Sequence, residues 1–380
     1  MPILSCDLIL TFRVKCVVFD KEIKAMSTCI SSLRILQLRN CGHGFTDQVA
    51  EIVSEKHGGG LEMLELTGCY RLNEAALCLL LQKCRQNLKS LDLSCNSRLG
   101  VNSVSVVASM SSLTHLKLDH ATPFTNIMLS PLLESDALGS LEHLSLAGLI
   151  DLDDSGLGPI IKKIGPKLRS LCVGGCSQLT DESIIIIRES CRVLDALDIG
   201  RLSQITTAAL LGLFIEGPVQ QGGVIVEIPI LFDTDMDPDI VENSSSLLDT
   251  SESAPDRAAG TNSMIGRLST INLSGLPSSV TDDVIIQLCQ LSSSLQSVDI
   301  GGCSSLTSRA IGALQLHCRD SIEVLDVSFV RNFSEDCLAA LVDQAPHLKN
   351  LAVWGCTHLT KRFFDGHRND FLNIEGRMEA

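Results

Sequence analysis

Apolar residues return along this chain with a fixed rhythm. Rows open at Leu33, Leu61, Leu88, Leu113, Leu141, Leu168, Leu194, Leu268, Leu295, Ile322 and Leu348. Each row has a second apolar residue three positions on and a third two beyond that, as in Leu168, Leu171 and Val173. The final pair, two residues apart, is the period of a strand that turns one face inward and the other outward. After the strand several rows read Gly-Cys-x-x-Leu-Thr, as in Gly175 to Thr180, Gly302 to Thr307 and Gly355 to Thr360. Thr180-Asp181-Glu182 and Thr281-Asp282-Asp283 then supply the cap and early acids of a helix. The apolar spacing becomes helical, as in Ala310, Ile311, Leu314 and Cys318. One strand and one helix cannot bury their apolar faces alone, so stacked neighbours must complete the core, which is the physics of a solenoid. Ten steps join the eleven rows; nine measure 25 to 28 residues and one, from Leu194 to Leu268, measures 74.

That unit resembles the cysteine-containing leucine-rich repeat of F-box/LRR proteins over Leu33 to His367, apart from the long step. The resemblance implies an α/β fold: a right-handed leucine-rich-repeat solenoid, or horseshoe, with a parallel sheet on its concave face and helices on its convex face. The last row, Leu348 to His367, is similar to the end of the nucleotide-excision-repair LRR proteins of that group, which are substrate-receptor subunits of ubiquitin ligases. The implied function is a protein-interaction scaffold in ubiquitin-dependent degradation, with ubiquitin ligase subunits among its partners. A free-standing LRR scaffold or inhibitor, with a place in DNA repair, is the alternative. An F-box with an L-P-x-E-like start is not found in residues 1–32, which read as an N-terminal cap or truncated leader. The repeat domain is expected over 33–380, with a C-terminal cap at about 361–380 and an insertion at about 216–266.

Composition sharpens this picture. Aromatic residues are only 3% of the chain, with one Trp and one Tyr, so Leu, Ile and Val must fill the core. The formal charge of −15 argues against direct nucleic-acid binding and suits basic protein partners. No apolar run is long enough to span a bilayer. Most of the sixteen cysteines recur at fixed repeat positions, so they should stack as thiols in the reducing cytosol or nucleus. Cys41, Cys69, Cys176, Cys303 and Cys356 make one such column; Cys29, Cys84, Cys191 and Cys318 make a second. Within the insertion, Gly217 to Phe232 is apolar enough for a short β segment. Asp233 to Gly260 is acidic and Ser-rich and reads as disordered.

The candidate chemistry lies on the outward side of the strands. The central outward column runs Gln37, Glu65, Asp92, Lys117, Ser145, Cys172, Asp198, Asn272, Asp299, Asp326 and Ala352. Its acids, Glu65, Asp92, Asp198, Asp299 and Asp326, are either a solubility habit of the repeat or a binding site for a basic partner segment. Asp299 and Asp326 are the type of carboxylate pair a glycosidase uses, but an open sheet encloses no substrate, so no enzyme is expected. Cys172 and Cys176 should point to different sides of the chain, so neither a metal nor a cofactor is expected. His115 and His143 fall in adjacent rows and should be solvated neighbours. Trp354, at the end of the last strand, is either an exposed hot spot or part of a terminal cap with Phe363, Phe364 and Phe371.

Overall fold

The computed structural model describes residues 8–13, as backbone only, and residues 33–40, 45–121, 124–214, 265–367 and 372–376. Thirteen strands form one sheet in strict sequence order. They are β1 Leu8–Arg13, β2 Leu33–Arg39, β3 Met63–Thr67, β4 Ser90–Asp92, β5 His115–Lys117, β6 His143–Ser145, β7 Ser170–Cys172, β8 Ala196–Asp198, β9 Thr270–Asn272, β10 Ser297–Asp299, β11 Val324–Asp326, β12 Asn350–Ala352 and β13 Asn373–Glu375. Every pairing is parallel. A helix follows each strand from β2 to β12, and consecutive helices pack on one another. This is the leucine-rich-repeat solenoid, and the eleven rows read from the sequence are β2 to β12. No helix among the described residues is long and apolar enough to cross a membrane.

Two strands lie outside the eleven rows. β1 falls in the stretch read as a cap or leader and pairs with β2 from Leu8↔Leu33 to Arg13↔Arg39. β13 falls in the expected C-terminal cap and continues the register of β12, with Leu351 beside Ile374. Both give the terminal rows backbone partners they would otherwise lack. Neither carries the three-apolar rhythm, which is why the pattern did not reveal them.

The chain divides into two units, Met1–Ile215 with Ser263–Ala380, and Glu216–Asn262. The insertion, with its expected β segment and disordered stretch, lies outside the described residues except for its end at a short 3-10 helix, Ile265–Arg267. Because β8 pairs directly with β9, the long step leaves the sheet continuous.

The row's opening triplet is buried throughout, for example Leu168, Leu171 and Val173 at 1% exposure or less. Just after each strand the backbone turns through positive φ. Six rows use glycine there: Gly68, Gly148, Gly175, Gly275, Gly302 and Gly355. The other five use Asn40, Cys95, His120, Arg201 and Phe329. In the ten rows where the next residue is described, it drops into the core. At Cys176, Cys303 and Cys356 the thiol donates back to the preceding row, while Cys69 donates to the Thr67 carbonyl of its own row. Cys176 Sγ lies 3.1 Å from the Leu146 carbonyl and Cys303 Sγ 3.2 Å from that of Leu273. Cys356 Sγ lies 3.3 Å from the Val327 carbonyl. Asn96 fills the same place in its row and donates to the Leu66 carbonyl at 2.6 Å. The thiol column is therefore a hydrogen-bonded ladder, and burial pushes Cys176, Cys303 and Cys356 up to about 11. Cys84, Cys191 and Cys318 of the second column are also buried. Cys29 and Cys41 lie outside the described residues.

The acids at the helix starts do something the sequence did not suggest. Asp282 opens the helix Asp282–Leu291, yet the preceding Thr281 side chain caps nothing. Asp282 instead accepts from the backbone N–H and the hydroxyl of Thr307, one row on, at 2.8 and 2.6 Å. Asp154 holds Thr180 in the same way at 3.0 and 2.6 Å, Asp181 holds Thr206 at 2.7 Å twice, and Glu335 holds Thr360 at 2.6 and 2.8 Å. These carboxylates latch one row to the next.

Candidate functional site

The sheet register confirms the central outward column position by position, from Gln37↔Glu65 to Asp326↔Ala352. It also adds Glu375, which pairs with Ala352 and is exposed. No rhythm in the sequence pointed to Glu375.

The five expected acids do not behave alike. Glu65 is buried, at 6% exposure, and so is not part of an open acidic surface. Arg39, one row earlier, forms an ion pair with it and adds an Nη2–Oε2 bond of 3.0 Å. Gln37 Nε2 donates to Glu65 at 3.0 Å. The hydrogen bond and charge of Glu65 hold the Arg39 guanidinium above its ordinary range. Asp92 is half-buried and has Lys117 as its register neighbour. The N-terminal part of the column is thus supplied with a cation beside each acid.

The C-terminal part is not. Asp198, Asp299 and Asp326 are half-buried, and none forms an ion pair with a described residue. Each closes a turn by accepting the N–H two residues on. The distances are 3.0 Å from Gly200 to Asp198, 2.9 Å from Gly301 to Asp299 and 2.8 Å from Ser328 to Asp326. Asn272 does the same for Ser274 at 2.8 Å without a charge. These are Asx-type turns, formed because a short side-chain acceptor imitates a backbone carbonyl. The acids therefore take part in the local fold as well as standing on the outward column. Cys172 also donates its thiol to Asp198 at 3.2 Å. Burial raises Asp299 above the usual carboxylate range, and the charges of Asp326 and Asp198 add to this against the Gly301 and Ser274 hydrogen bonds. Chemically the row offers acceptor oxygens on a crowded negative surface, a setting that favours an incoming cation.

The remaining candidates fall at either end of the strands. His115 and His143 stack with ring centroids 4.0 Å apart and planes at 13°. Burial and then the neighbouring His115 lower His143 below its ordinary value. Trp354 is 51% exposed. The terminal core is covered without it: Phe363 is buried and meets Phe364 and His367 edge-on, at 5.5 and 4.7 Å between centroids. Phe371 lies outside the described residues. One residue the sequence reading missed is Phe329, 58% exposed and at φ 62 in the turn column. Its signal was available: the row reads Val327-Ser328-Phe329-Val330, with Phe where its neighbours have glycine.

No family profile matches the chain. It is 22% identical to the DNA repair protein rhp7 of Schizosaccharomyces pombe over 330 residues, 86% of this chain and 50% of that protein. The solved structure of yeast Rad7 in complex with Elc1 matches 95% of this chain and 89% of its own, at a TM-score of 0.60 and 20% identity. This chain is a leucine-rich-repeat solenoid similar to the F-box/LRR and DNA-repair LRR proteins. F-box/LRR-repeat protein 4 of Bos taurus is 30% identical over 144 residues, 38% of this chain and 22% of that protein. The chain spans half or less of the length of these two curated relatives.

Proposed function

We propose that this chain is a recognition arm that holds a partner protein on the outward face of its sheet, as the substrate-binding part of an assembly for ubiquitin-dependent degradation. The observation that carries the reading is the unneutralised run Asp198, Asp299 and Asp326 on an open face of regularly spaced strands. Asp299 and Asp326 are like charges on adjacent strands and repel each other, while Asn272 separates them from Asp198. A partner segment bearing Lys or Arg would relieve that repulsion and be steered toward it. The ligase context is supported by the likeness to an F-box/LRR-repeat protein and by Rad7 having been solved with Elc1. A role in DNA repair is a second reading, favoured by the rhp7 match along 86% of the chain. Both place the chain in the nucleus or cytosol.

Affinity purification of the tagged full chain, with subunits quantified by mass spectrometry, tests the assembly. Stoichiometric recovery of a cullin and an Elc1-type adaptor is expected. Recovery of partners without either would remove the ligase reading and leave a free-standing scaffold.

A further inference from the structure

We propose that Phe329 and Trp354 form an aromatic anchor point that takes a large apolar side chain of the partner, while a lysine or arginine close to it in the partner's sequence lies over Asp299 and Asp326. This rests on the reading of the sheet as a face for a basic segment.

Four observations converge on the anchor. First, both rings are out in solvent, at 58% and 51% exposure, in a chain with few aromatics. Second, they belong together. The Phe329 N–H donates to the Trp354 carbonyl at 2.6 Å, which puts the two residues side by side on adjacent rows. Third, the backbone at Phe329 is strained, since a bulky residue at φ 62 is a true outlier. Six rows solve the same turn with glycine and four with Asn40, Cys95, His120 or Arg201, so Phe329 shares its conformation with other rows but is the one that puts an exposed apolar ring there. Strain of this kind gathers at ligand-binding positions. The ring also lies over Gly355, where a Cβ would collide with it. Fourth, the Trp354 backbone is fixed. Its N–H donates to Ser328 Oγ at 3.1 Å, and Gly376 packs so closely that a Cβ there would sit 2.5 Å from the Trp354 nitrogen. Exposed aromatics on a rigid backbone are the usual make-up of a binding hot spot.

The chemistry of the occupant follows from charge. The chain's own insertion carries nine acids and one base between Gly217 and Gly266, and a second copy would bring a formal charge of −15. Either would be repelled by Asp299 and Asp326, so a basic partner segment is the fitting occupant. Spacing follows from the row. Asp326 and Phe329 are three residues apart, no more than about 10 Å along an extended chain. An extended partner covers that distance in about two or three residues, so the recognised pattern is Lys or Arg two or three positions from Phe, Trp, Leu or Ile.

A displayed library of short random peptides, selected on the full chain, is the test. Enrichment of that spaced pair is expected. The enriched peptide, made synthetically and labelled, should bind Trp354→Ser and Phe329→Gly about tenfold more weakly. These variants copy what Ser328 and the six glycine rows already do, so their melting temperatures should not fall. Enriched peptides that are basic but lack an apolar residue, or that bind Trp354→Ser and Phe329→Gly as well as wild type, would overturn the anchor and leave the basic-segment reading standing. Selection that yields no basic peptides would overturn both.

Discussion

Two columns of acids run the length of this solenoid at the same period, and they do opposite things. At the helix starts Asp154, Asp181, Asp282 and Glu335 each give both carboxylate oxygens to the threonine of the next row. At the strand ends Asp198, Asp299 and Asp326 each give one oxygen to a turn in their own row. The electrostatics follow the geometry. Burial alone would raise Asp154, but the hydrogen bonds from Ser183 and Thr180 outweigh it and lower the carboxyl below its ordinary range. Asp299 has burial and two neighbouring acids against it and is raised. Asp154, stabilised as an anion by those bonds, holds two rows together, whereas Asp299, uneasy as an anion, remains open to a partner.

The largest effect should come from breaking a latch. Asp282 is buried, at 8% exposure, and its replacement by Ala would strand the N–H and hydroxyl of Thr307. An unsatisfied buried group costs about 1–3 kcal/mol and Thr307 is half-buried, so Asp282→Ala should lower the denaturant midpoint by an amount toward the lower end of that range. Asp299→Ala, which loses the half-buried turn to Gly301 and the Ser274 hydrogen bond, should lower it by less. Equal losses at the two positions would mean that the columns are not distinct.

Acid should separate Asp154 from Asp299 by sign. A lowered carboxyl such as Asp154 stabilises the fold fully above the ordinary value of 3.8, and that contribution is lost as pH falls from 3.8 through the lower folded value. A raised carboxyl such as Asp299 opposes folding above its folded value, and that penalty is relieved as pH falls through it toward 3.8. Asp119, raised mainly by burial, adds to the second group. Stability followed by denaturant titration on acidification should therefore hold or rise slightly before it drops. Asp299→Asn should flatten the early rise. If Asp299→Asn makes the late fall shallower instead, its carboxylate is stabilised by the fold and has been assigned the wrong sign.

The sequence made the repeat legible because each row repeats one solution to one packing problem. The buried triplets, the outward column and the cysteine ladder all come from side-chain period alone. The latches did not, because Thr281-Asp282 looks the same whether the acid serves its own helix end or the next row. Only the stacked geometry shows that Thr281 caps nothing and Asp282 reaches Thr307. Glu65 was misjudged for a related reason. Outward-facing is a statement about one strand, and Arg39 on the neighbouring strand covers it. β1 and β13 join the sheet through backbone hydrogen bonds, which leave little trace in side-chain pattern. Phe329 was legible in principle as a break in the glycine column. Reading it required knowing that every row turns through positive φ at that position.

The smallest effect is also the most direct measure of what the strand-end acids do. Lysine at Asp299 and Asp326 would be a poor probe, since it cannot accept the N–H of Gly301 or Ser328 and would disturb both turns. Asparagine is the right one, because Asn272 already closes the same turn without charge. The double variant Asp299→Asn, Asp326→Asn should keep its fold and melting temperature. Each lost ion pair at a half-open surface is worth only about 0.2–1 kcal/mol. A lysine-bearing peptide should therefore bind the double variant several-fold more weakly, mostly through slower association, with the difference shrinking as salt is added. Wild-type binding should also weaken on mild acidification, starting above the usual carboxylate range because Asp299 takes up its proton early. The double variant should lose that part of the pH dependence. Stopped-flow association rates at two salt concentrations and two pH values would decide the matter. Identical rates for wild type and variant at low salt would show that these carboxylates serve their turns alone.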